Sequence, residues 1–596
     1  MGSHRPQLHF TLFPLMAQGH MIPMVDMARM LALRGVTITI FTTPCNAARF
    51  KSVLDLSIEA GLQIRVIELK FPCQEAGLPE GCENFDMLPS PHLAFNFYNA
   101  TAMLQEQVEK LFPELTPKPC CIIADLCLPW TNNIANMFDV PRISFHVHCC
   151  FSLLCMHNLD VHYNEYESVT SDSEYFIVPG NLPDRIEVTK AQIPGPVLPN
   201  TKDFLVRLGA AESASYGSIV TTYEEFEGAY VDEYKNATKK NHLWSIGPTF
   251  LCNQDDLERG NKSSIDKNQC LKWLDSWEPN SVLYVCLGSL CNLMPSQLLE
   301  LGLGMEETKR PFIWVLKEGR TSKELEELLL KDGYEERNKE RGLVIRGWAP
   351  QVLILSHQST GGFITHCGTS SFLESVSAGV PMATWPLFGD QFFAEHLLVT
   401  VLKIAVRIGV PKPLNWGEEE KTGILVYKET VKEAIQILMD EGKETESIIH
   451  LCRDYPFTCQ VLQSNNILSQ ERNNRVWDGK NGTALDVVFS SMARLNGFRF
   501  VIIKPGGMGR GRIVRASWKP PPHGIVKINV DGSFISETHS DWISSTQSQT
   551  VPVLSCDGAR HLLPSSGRPS ASNRWLRLRI VVSNVAVTFF LHGKLH

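Results

Sequence analysis

The sequence predicts an α/β protein in which two Rossmann-like domains follow one another along the chain. Two observations lead to this prediction: short apolar, β-rich runs alternate with helical stretches in the first half, and a second series of this kind begins near residue 281. Such alternation favours a doubly wound parallel sheet, in which ligands collect at the carboxyl ends of the strands. A polar stretch separates the two series, so we expect a cleft between two domains.

The first series begins with a strand at residues 9–14, a helix at 21–34 and a strand at 36–42. Further strands are predicted at residues 63–68, 120–124, 142–146 and 218–222, with a helix at 100–111. The alternation ends near Ser245, and we therefore place the first domain at residues 1–245.

The polar run that continues to about residue 269 is predicted to be the interdomain linker. Strands are expected after it at residues 281–287, 311–316 and 362–365, with helices at 295–308 and 430–439. We place this second domain at residues 246–446.

The 348–391 segment carries groups that suit a nucleotide and a sugar. A β-rich run ends in the tripeptide HCG (366–368), and small hydroxylated residues and a helix that contains Glu374 follow. Free backbone N–H groups and the dipole at such a helix start bind phosphate. Trp348 offers a flat face for a base, and Asp390 and Gln391 can hydrogen-bond hydroxyl groups.

His20 and Asp125 are the candidate catalytic pair. His20 lies between the first strand and its helix, where we expect the helix dipole to keep the imidazole neutral and able to act as a general base. Asp125 follows a strand on the same rim of the sheet and could accept the other imidazole N–H. From position alone, a capping histidine and an unrelated turn aspartate are also possible.

The 348–391 segment resembles the plant secondary-product glycosyltransferase box of family-one UDP-glycosyltransferases. The resemblance rests on its fixed length of 44 residues, its WAPQ start, its HCG, its glutamate and its final DQ. The runs LHFTLFPLMAQGHMIPMVDMARML and PCNAARF further resemble the family-73 branch. The resemblance implies a GT-B fold with an interdomain cleft, and it supports His20 (in AQGH) as the base and Asp125 (in IIADLCLPW) as its partner.

The resemblance also implies binding roles in this segment. Trp348 would stack on uracil, with the backbone of Ala349 at the base edge, and Gln351 and Glu374 would contact the ribose. The diphosphate would be bound by Ser289, His366, Gly368, Thr369, Ser370 and Ser371. One departure occurs here, because the family usually has Trp-Asn where this chain has Thr369-Ser370.

Asp390 and Gln391 would hold the transferred sugar, and Gln391 at the end of the segment favours glucose. UDP-glucose is therefore the expected donor, with no tightly bound cofactor. We expect no metal, because His366, Ser371 and helix amides would neutralise the diphosphate and no metal-ligand spacing occurs in the sequence.

The residues from 447 onward differ from the rest in charge and motifs. They contain 18 Lys and Arg against 8 Asp and Glu, which leaves 38 against 56 for residues 1–446. The run WKPPPHGIVKINVDGSF resembles the opening of a plant retroelement ribonuclease H-like domain, with Asp531 at its first metal carboxylate. The other carboxylates that two-metal chemistry needs do not follow. We interpret residues 447–596 as an atypical basic tail, foreign or mispredicted and poorly ordered, that replaces the family's terminal helix.

The chain begins without a recognisable secretory signal, and the apolar run at 580–591 is too short to span a bilayer. Seventeen cysteines in this context favour reduced thiols. We therefore expect a cytoplasmic monomer whose partners are a UDP-sugar and a small-molecule acceptor, with no nucleic acid.

Three functions stay open. The first is an inverting O-glycosyltransferase that acts on small lipophilic plant secondary metabolites or hormones, such as flavonoids or triterpenoids. The second is a catalytically impaired or chimaeric relative that binds nucleotide-sugar weakly, because of Thr369-Ser370 and the missing terminal helix. The third is nucleic-acid binding by the basic tail, which contains PGGMGRGR at 505–512.

Overall fold

The computed structural model describes residues 7–163, 168–194, 202–240, 242–252, 259–291, 293–317, 320–414 and 419–440, together with three strands between 534 and 593. The chain divides into two compact units, residues 1–497 and 498–596. The first unit contains two parallel sheets with helices packed around them. This arrangement confirms the predicted α/β class with two Rossmann-like domains.

The first sheet has seven parallel strands in the order β3-β2-β1-β4-β5-β8-β9. They are β1 (His9–Phe13), β2 (Thr37–Thr42), β3 (Ile64–Glu68), β4 (Cys121–Asp125), β5 (Arg142–His146), β8 (Gly217–Val220) and β9 (Leu243–Ser245), with β6 (Tyr175–Ile177) and β7 (Glu187–Thr189) pairing separately as a hairpin. The helices are α1 (Gln18–Ala32), α2 (Pro44–Glu59), α3 (Ala94–Met103), α4 (Gln105–Leu111), α5 (Thr131–Phe138), α6 (Cys150–Val161), α7 (Lys202–Ala214) and α8 (Glu224–Thr238). The strand order reverses between β1 and β4, which is where doubly wound sheets bind ligands.

The second sheet has six parallel strands in the order β12-β11-β10-β13-β14-β15. They are β10 (Val282–Cys286), β11 (Phe312–Leu316), β12 (Gly342–Arg346), β13 (Thr360–Thr365), β14 (Met382–Thr384) and β15 (Ala405–Arg407). Its helices are α9 (Lys267–Leu274), α10 (Pro295–Glu307), α11 (Arg320–Asp332), α12 (Tyr334–Asn338), α13 (Gln351–Leu355), α14 (Thr369–Ala378), α15 (Gln391–His396), α16 (Glu419–Thr422) and α17 (Lys428–Met439). Here the order reverses between β10 and β13, so each sheet has its own switch point.

The predicted strands occur within two residues of their expected bounds, whereas two helices differ from the prediction. The helix expected at 21–34 begins three residues earlier, so that His20 lies inside α1 rather than before it. The single helix expected at 100–111 is divided into α3 and α4. Strands β6, β7, β9, β12, β14 and β15 were not predicted. All of them except β12 have only three residues, which are too few to form a recognisable pattern.

Apolar packing joins the two domains below the cleft. Phe226 of α8 stacks on Phe372 of α14 with ring centroids 5.7 Å apart, and both rings belong to a buried cluster that contains residues from each sheet. Among the described residues, each cysteine is a free thiol, and none of the helices combines the length and hydrophobicity that a membrane span requires.

The second unit is described only through three antiparallel strands. These are β16 (Phe534–Ile535), β17 (Arg574–Val582) and β18 (Val585–Gly593), paired in the order β16-β17-β18. Asp531 and the 505–512 run lie outside the described residues, as does the position where the family's terminal helix would follow residue 440.

Candidate functional site

A cleft of about 2020 Å³ lies between the two domains. His20 and each of the predicted donor-binding residues line it. Asp125 is buried behind His20, with 1% of its side chain exposed against 20% for the imidazole. The structure therefore brings the predicted residues of both domains to one cavity.

The position of the His20–Asp125 pair follows from the neighbouring strands β1 and β4. These strands run parallel, with Phe13 opposite Ala124, so the segments that follow them meet at one rim. His20 is the third residue of α1, and its Nδ1–H donates to Asp125 Oδ2 at 2.7 Å. The backbone N–H of Cys127 donates to the other carboxylate oxygen at 2.9 Å. This orientation leaves Nε2 of His20 as the nitrogen that can accept a proton.

The carboxylate dominates the electrostatics of this pair. Burial lowers the pKa of His20, but the charge and hydrogen bond of Asp125, assisted by the charge of Asp390, outweigh burial and raise the pKa above its ordinary value. Burial acts to raise the pKa of Asp125, but His20 outweighs it and the pKa of the carboxyl group is lowered. The expectation that the helix dipole governs His20 is therefore wrong, because a directly bonded carboxylate has the larger effect.

The second switch point brings Ser289 and His366 together. Strands β10 and β13 are neighbours, and each is followed by a turn that approaches the other. Gly288 has φ +80°, and a Cβ on it would lie 2.7 Å from the His366 ring, so only glycine permits this approach. Cys367 is buried and also has a positive φ of 66°, a strained conformation of the kind that occurs at functional sites.

The start of α14 faces the cleft with free backbone N–H groups. Gly368 is its N-cap residue, and no described side chain caps the helix there. Thr369, Ser370 and Ser371 form its first turn and line the cavity. These features match the predicted phosphate site.

His366 contributes no positive charge to this site at neutral pH. Burial lowers the pKa of His366 to about 4. Its Nδ1 is buried and has no hydrogen-bond partner among the described residues. A neutral imidazole offers a diphosphate the dipole of an N–H, and the predicted role of His366 at the diphosphate stays a prediction.

The predicted base and ribose groups are held by contacts that the sequence did not indicate. Nε2 of Gln351 donates to Glu374 Oε2 at 2.8 Å, and Nη1 of Arg259 donates to Glu374 Oε1 at 2.6 Å. The indole N–H of Trp348 donates to the carbonyl oxygen of Arg259 at 3.1 Å. Ala349, the next residue in the chain, is buried. Arg259 belongs to the predicted linker, and nothing in that polar run indicated that it enters the cleft.

The predicted sugar-binding pair lies near His20, the candidate catalytic histidine. Asp390 Oδ1 is 3.9 Å from Nε2 of His148, whose ring centroid is 6.3 Å from that of His20. The amide oxygen of Gln391 accepts two backbone N–H groups of the preceding loop, at 2.8 and 3.2 Å, so only its NH₂ remains to contact a ligand. His148 also lines the cleft. Within the described ranges, no three His, Cys, Asp or Glu side chains come together as a metal site.

Comparison with known proteins identifies the family. The family described as "UDP-glucoronosyl and UDP-glucosyl transferase" matches residues 262–407. UDP-glycosyltransferase 73C12 of Barbarea vulgaris is 55% identical over 450 residues, which cover 74% of this chain and 90% of the relative. UDP-glycosyltransferase 73C1 of Arabidopsis thaliana is 56% identical over 425 residues, or 71% and 86%. The chain belongs to the UDP-glycosyltransferase family.

Solved structures agree with this membership. The structure of Glycyrrhiza uralensis UGT73P12, complexed with glycyrrhetinic acid 3-O-monoglucuronide, is similar with a TM-score of 0.70 and 32% identity, covering 82% of this chain and 96% of that one. Arabidopsis thaliana UGT89C1, complexed with UDP, gives a TM-score of 0.59 and 25% identity, covering 82% and 100%. The predicted GT-B fold is confirmed, and this enzyme is a UDP-glycosyltransferase of the 73 type.

Proposed function

We propose that this UDP-glycosyltransferase transfers glucose from UDP-glucose to a hydroxyl group of a small lipophilic plant metabolite, with inversion at the anomeric carbon. The observation that carries the proposal is the 2.7 Å hydrogen bond between His20 and Asp125 in the cleft that the 348–391 segment also lines. The solved relative complexed with UDP supports the nucleotide part of the donor. The relative complexed with glycyrrhetinic acid 3-O-monoglucuronide supports a lipophilic acceptor.

The chemical step is one in-line displacement. Nε2 of His20 accepts the proton of the acceptor hydroxyl, while Nδ1–H stays bonded to Asp125. The acceptor oxygen forms a bond to the anomeric carbon as the bond from that carbon to the diphosphate oxygen breaks, and the electron pair leaves with UDP. Attack opposite the leaving group inverts the configuration. Asp125 stays ionised and stabilises the imidazolium that forms.

The donor occupies the side of the cleft that the second domain forms. The indole of Trp348 stacks on uracil beside Ala349, and Gln351 and Glu374 contact the ribose. The diphosphate is bound by Ser289, His366, Gly368, Thr369, Ser370 and Ser371. Asp390 and Gln391 hold the glucose. The charge of the departing UDP is stabilised by oriented N–H and O–H dipoles in a partly buried site.

Apolar side chains on the first domain support a lipophilic acceptor. On the first domain, the apolar residues that line the cleft include Phe85, Met87, Leu88, Leu126, Met156, Leu205 and Leu208. Met87 is 39% exposed and Leu205 is 53% exposed, so a ligand that covered them would remove apolar surface from water.

An assay of the purified chain with UDP-glucose and a panel of phenolic and triterpenoid acceptors tests the proposal, with His20→Ala as the control. We expect a glucoside product with the wild-type chain and far less with the variant. Equal product from both would exclude His20 as the base. A different UDP-sugar used in preference to UDP-glucose would replace the donor assignment alone.

The alternative is an impaired relative that binds nucleotide-sugar weakly, and Ser370 at the position of the family's asparagine is the observation that favours it. Titration of UDP into the wild-type chain and Trp348→Ala separates the two functions. Specific UDP binding without transfer to any acceptor would support impairment. An unchanged affinity for UDP in Trp348→Ala would contradict the assignment of the donor site to this part of the cleft.

We further propose that the enzyme is a cytoplasmic monomer, with the first domain at 1–245 and the second at 246–446, and that it binds no nucleic acid. The free thiols of the described cysteines are compatible with a reducing compartment. Chromatography on immobilised nucleic acid, with and without residues 447–596, tests the last point. Retention that depends on those residues would assign a binding role to the tail.

A further inference from the structure

The guanidinium of Arg259 connects the two domains inside the cleft. Its Nη2 donates to Asp26 on α1 of the first domain, and its Nη1 donates to Glu374 on α14 of the second. All three side chains are largely buried, with 13%, 3% and 7% of their surface exposed. Two buried carboxylates from different domains thus share one cation.

This bridge joins the helices that carry the two proposed reaction partners. Asp26 lies six residues after His20 on α1, which corresponds to about 9 Å along the helix axis. Glu374 is the carboxylate proposed to accept the ribose hydroxyls. A change in the position of Arg259 would therefore alter the distance between the base and the donor.

The backbone around Arg259 reinforces this connection. Its carbonyl oxygen accepts the indole N–H of Trp348 at 3.1 Å. A Cβ on Gly260 would lie 2.9 Å from the Trp348 ring and 2.8 Å from the side chain of Gln18, so the linker passes tightly between the domains. Gln18 Nε2 also donates to the side chain of Asn261 at 2.8 Å.

We propose that Arg259 is a positioning residue that orients Glu374 and Trp348 for the nucleotide and holds α1, with His20, at the correct distance from the donor. The inference rests on the proposed function, since it assigns the bridge to binding of a UDP-sugar. Glu374 keeps acceptor capacity for ribose hydroxyls, because a carboxylate has about four lone-pair sites and the described contacts use two.

The two halves of the bridge predict separate kinetic effects. Arg259→Gln removes the contacts to both Glu374 and Asp26. We therefore expect the KM for UDP-glucose to rise about tenfold or more and kcat to fall, with the KM for the acceptor unchanged. Asp26→Asn leaves the contact of Arg259 with Glu374 intact, so we expect kcat to fall while the donor KM changes little. Arg259→Lys should restore only part of either effect, because an ammonium lacks the planar fork that contacts two carboxylates.

The matched control is Arg407→Gln. Arg407 also pairs with a buried carboxylate, Glu395, at 2.8 Å, but both residues belong to the second domain and lie outside the cleft. Steady-state kinetics, UDP titration calorimetry and thermal unfolding would be measured for each variant. If Arg259→Gln does not fold, Asp26→Asn still tests the inference. It replaces only one carboxylate by a neutral amide, and Arg259 remains paired with Glu374.

A donor KM and a kcat that change no more in Arg259→Gln and Asp26→Asn than in Arg407→Gln would overturn the inference. So would variants that lose only thermal stability. A wild-type chain that neither binds UDP nor transfers sugar would instead overturn the proposed function, and this inference with it.

Discussion

The two switch points of the molecule have the same topology and opposite electrostatics. At the first, between β1 and β4, a buried carboxylate is bonded to His20 and raises the pKa of the imidazole. At the second, between β10 and β13, His366 is buried without a described carboxylate partner, and burial lowers its pKa to about 4. Parallel strands explain why both histidines reach a cleft, whereas their neighbours decide what each histidine can do.

The difference corresponds to two chemical requirements of the proposed reaction. A general base must accept a proton and hold it while the bond forms, and the ionised Asp125 favours the protonated imidazole. A diphosphate site needs donors that remain in place as the charge moves to the leaving group, and neutral dipoles at a helix start meet that requirement. The contrast can be tested by changing each switch point separately.

The largest effect is expected from His20→Ala. Loss of a general base should lower kcat by about 10²- to 10⁴-fold, while UDP affinity stays unchanged because the donor binds to the other domain. Steady-state kinetics with calorimetric UDP titration checks both parts. A loss of UDP affinity as large as the loss of kcat would mean that the two switch points do not act separately.

Asp125→Asn should have the next largest effect, a fall of about 10²-fold in kcat/KM, because the imidazolium loses its partner. The pH profile gives the sharper result. His20 must be neutral to act, so kcat/KM of the wild type should fall as the pH decreases through its raised pKa. In the variant this acidic limb should move to lower pH. A limb that stays in place would assign it to another group.

Ser370→Asn should give a smaller change in the opposite direction. Restoring the amide typical of the family would add a hydrogen bond near the phosphates, and we expect donor affinity to rise by about tenfold. The gain should lie at the low end of the range for bonds to charged groups, because the backbone N–H groups of α14 are already in place. Calorimetry with UDP-glucose measures it. Weaker binding would show that Ser370 is adapted to this site.

Removal of residues 447–596 should have the smallest effect. Every proposed site residue precedes residue 392, so we expect the 1–446 chain to keep the kinetic constants of the full chain. Parallel assays with the same acceptor would check this. A large fall in kcat/KM on truncation would show that the tail replaces the family's terminal helix in function.

The fold and the cleft residues of the 348–391 segment could be predicted from the sequence, because both depend on local patterns. The βα alternation predicted both sheets, and the fixed spacing of the 348–391 segment predicted a set of residues that do line one cavity. The direction of the pKa shift of His20 was not accessible, although Asp125 was its predicted partner, because it depends on how close the fold brings a carboxylate that is 105 residues away in sequence. Arg259 was missed for the same reason: its two partners, Asp26 and Glu374, lie 233 and 115 residues away.

The glycines around His366 have a thermodynamic consequence for donor binding. The ring lies so close to Gly288 and Gly368 that a methyl group on either would clash with it, which leaves the imidazole little freedom to rotate. An exposed side chain loses conformational entropy when a ligand orders it, at a cost of about 0.5–1.5 kcal/mol. His366 is already ordered before UDP-glucose binds, so its side chain loses conformational entropy on folding and not on donor binding.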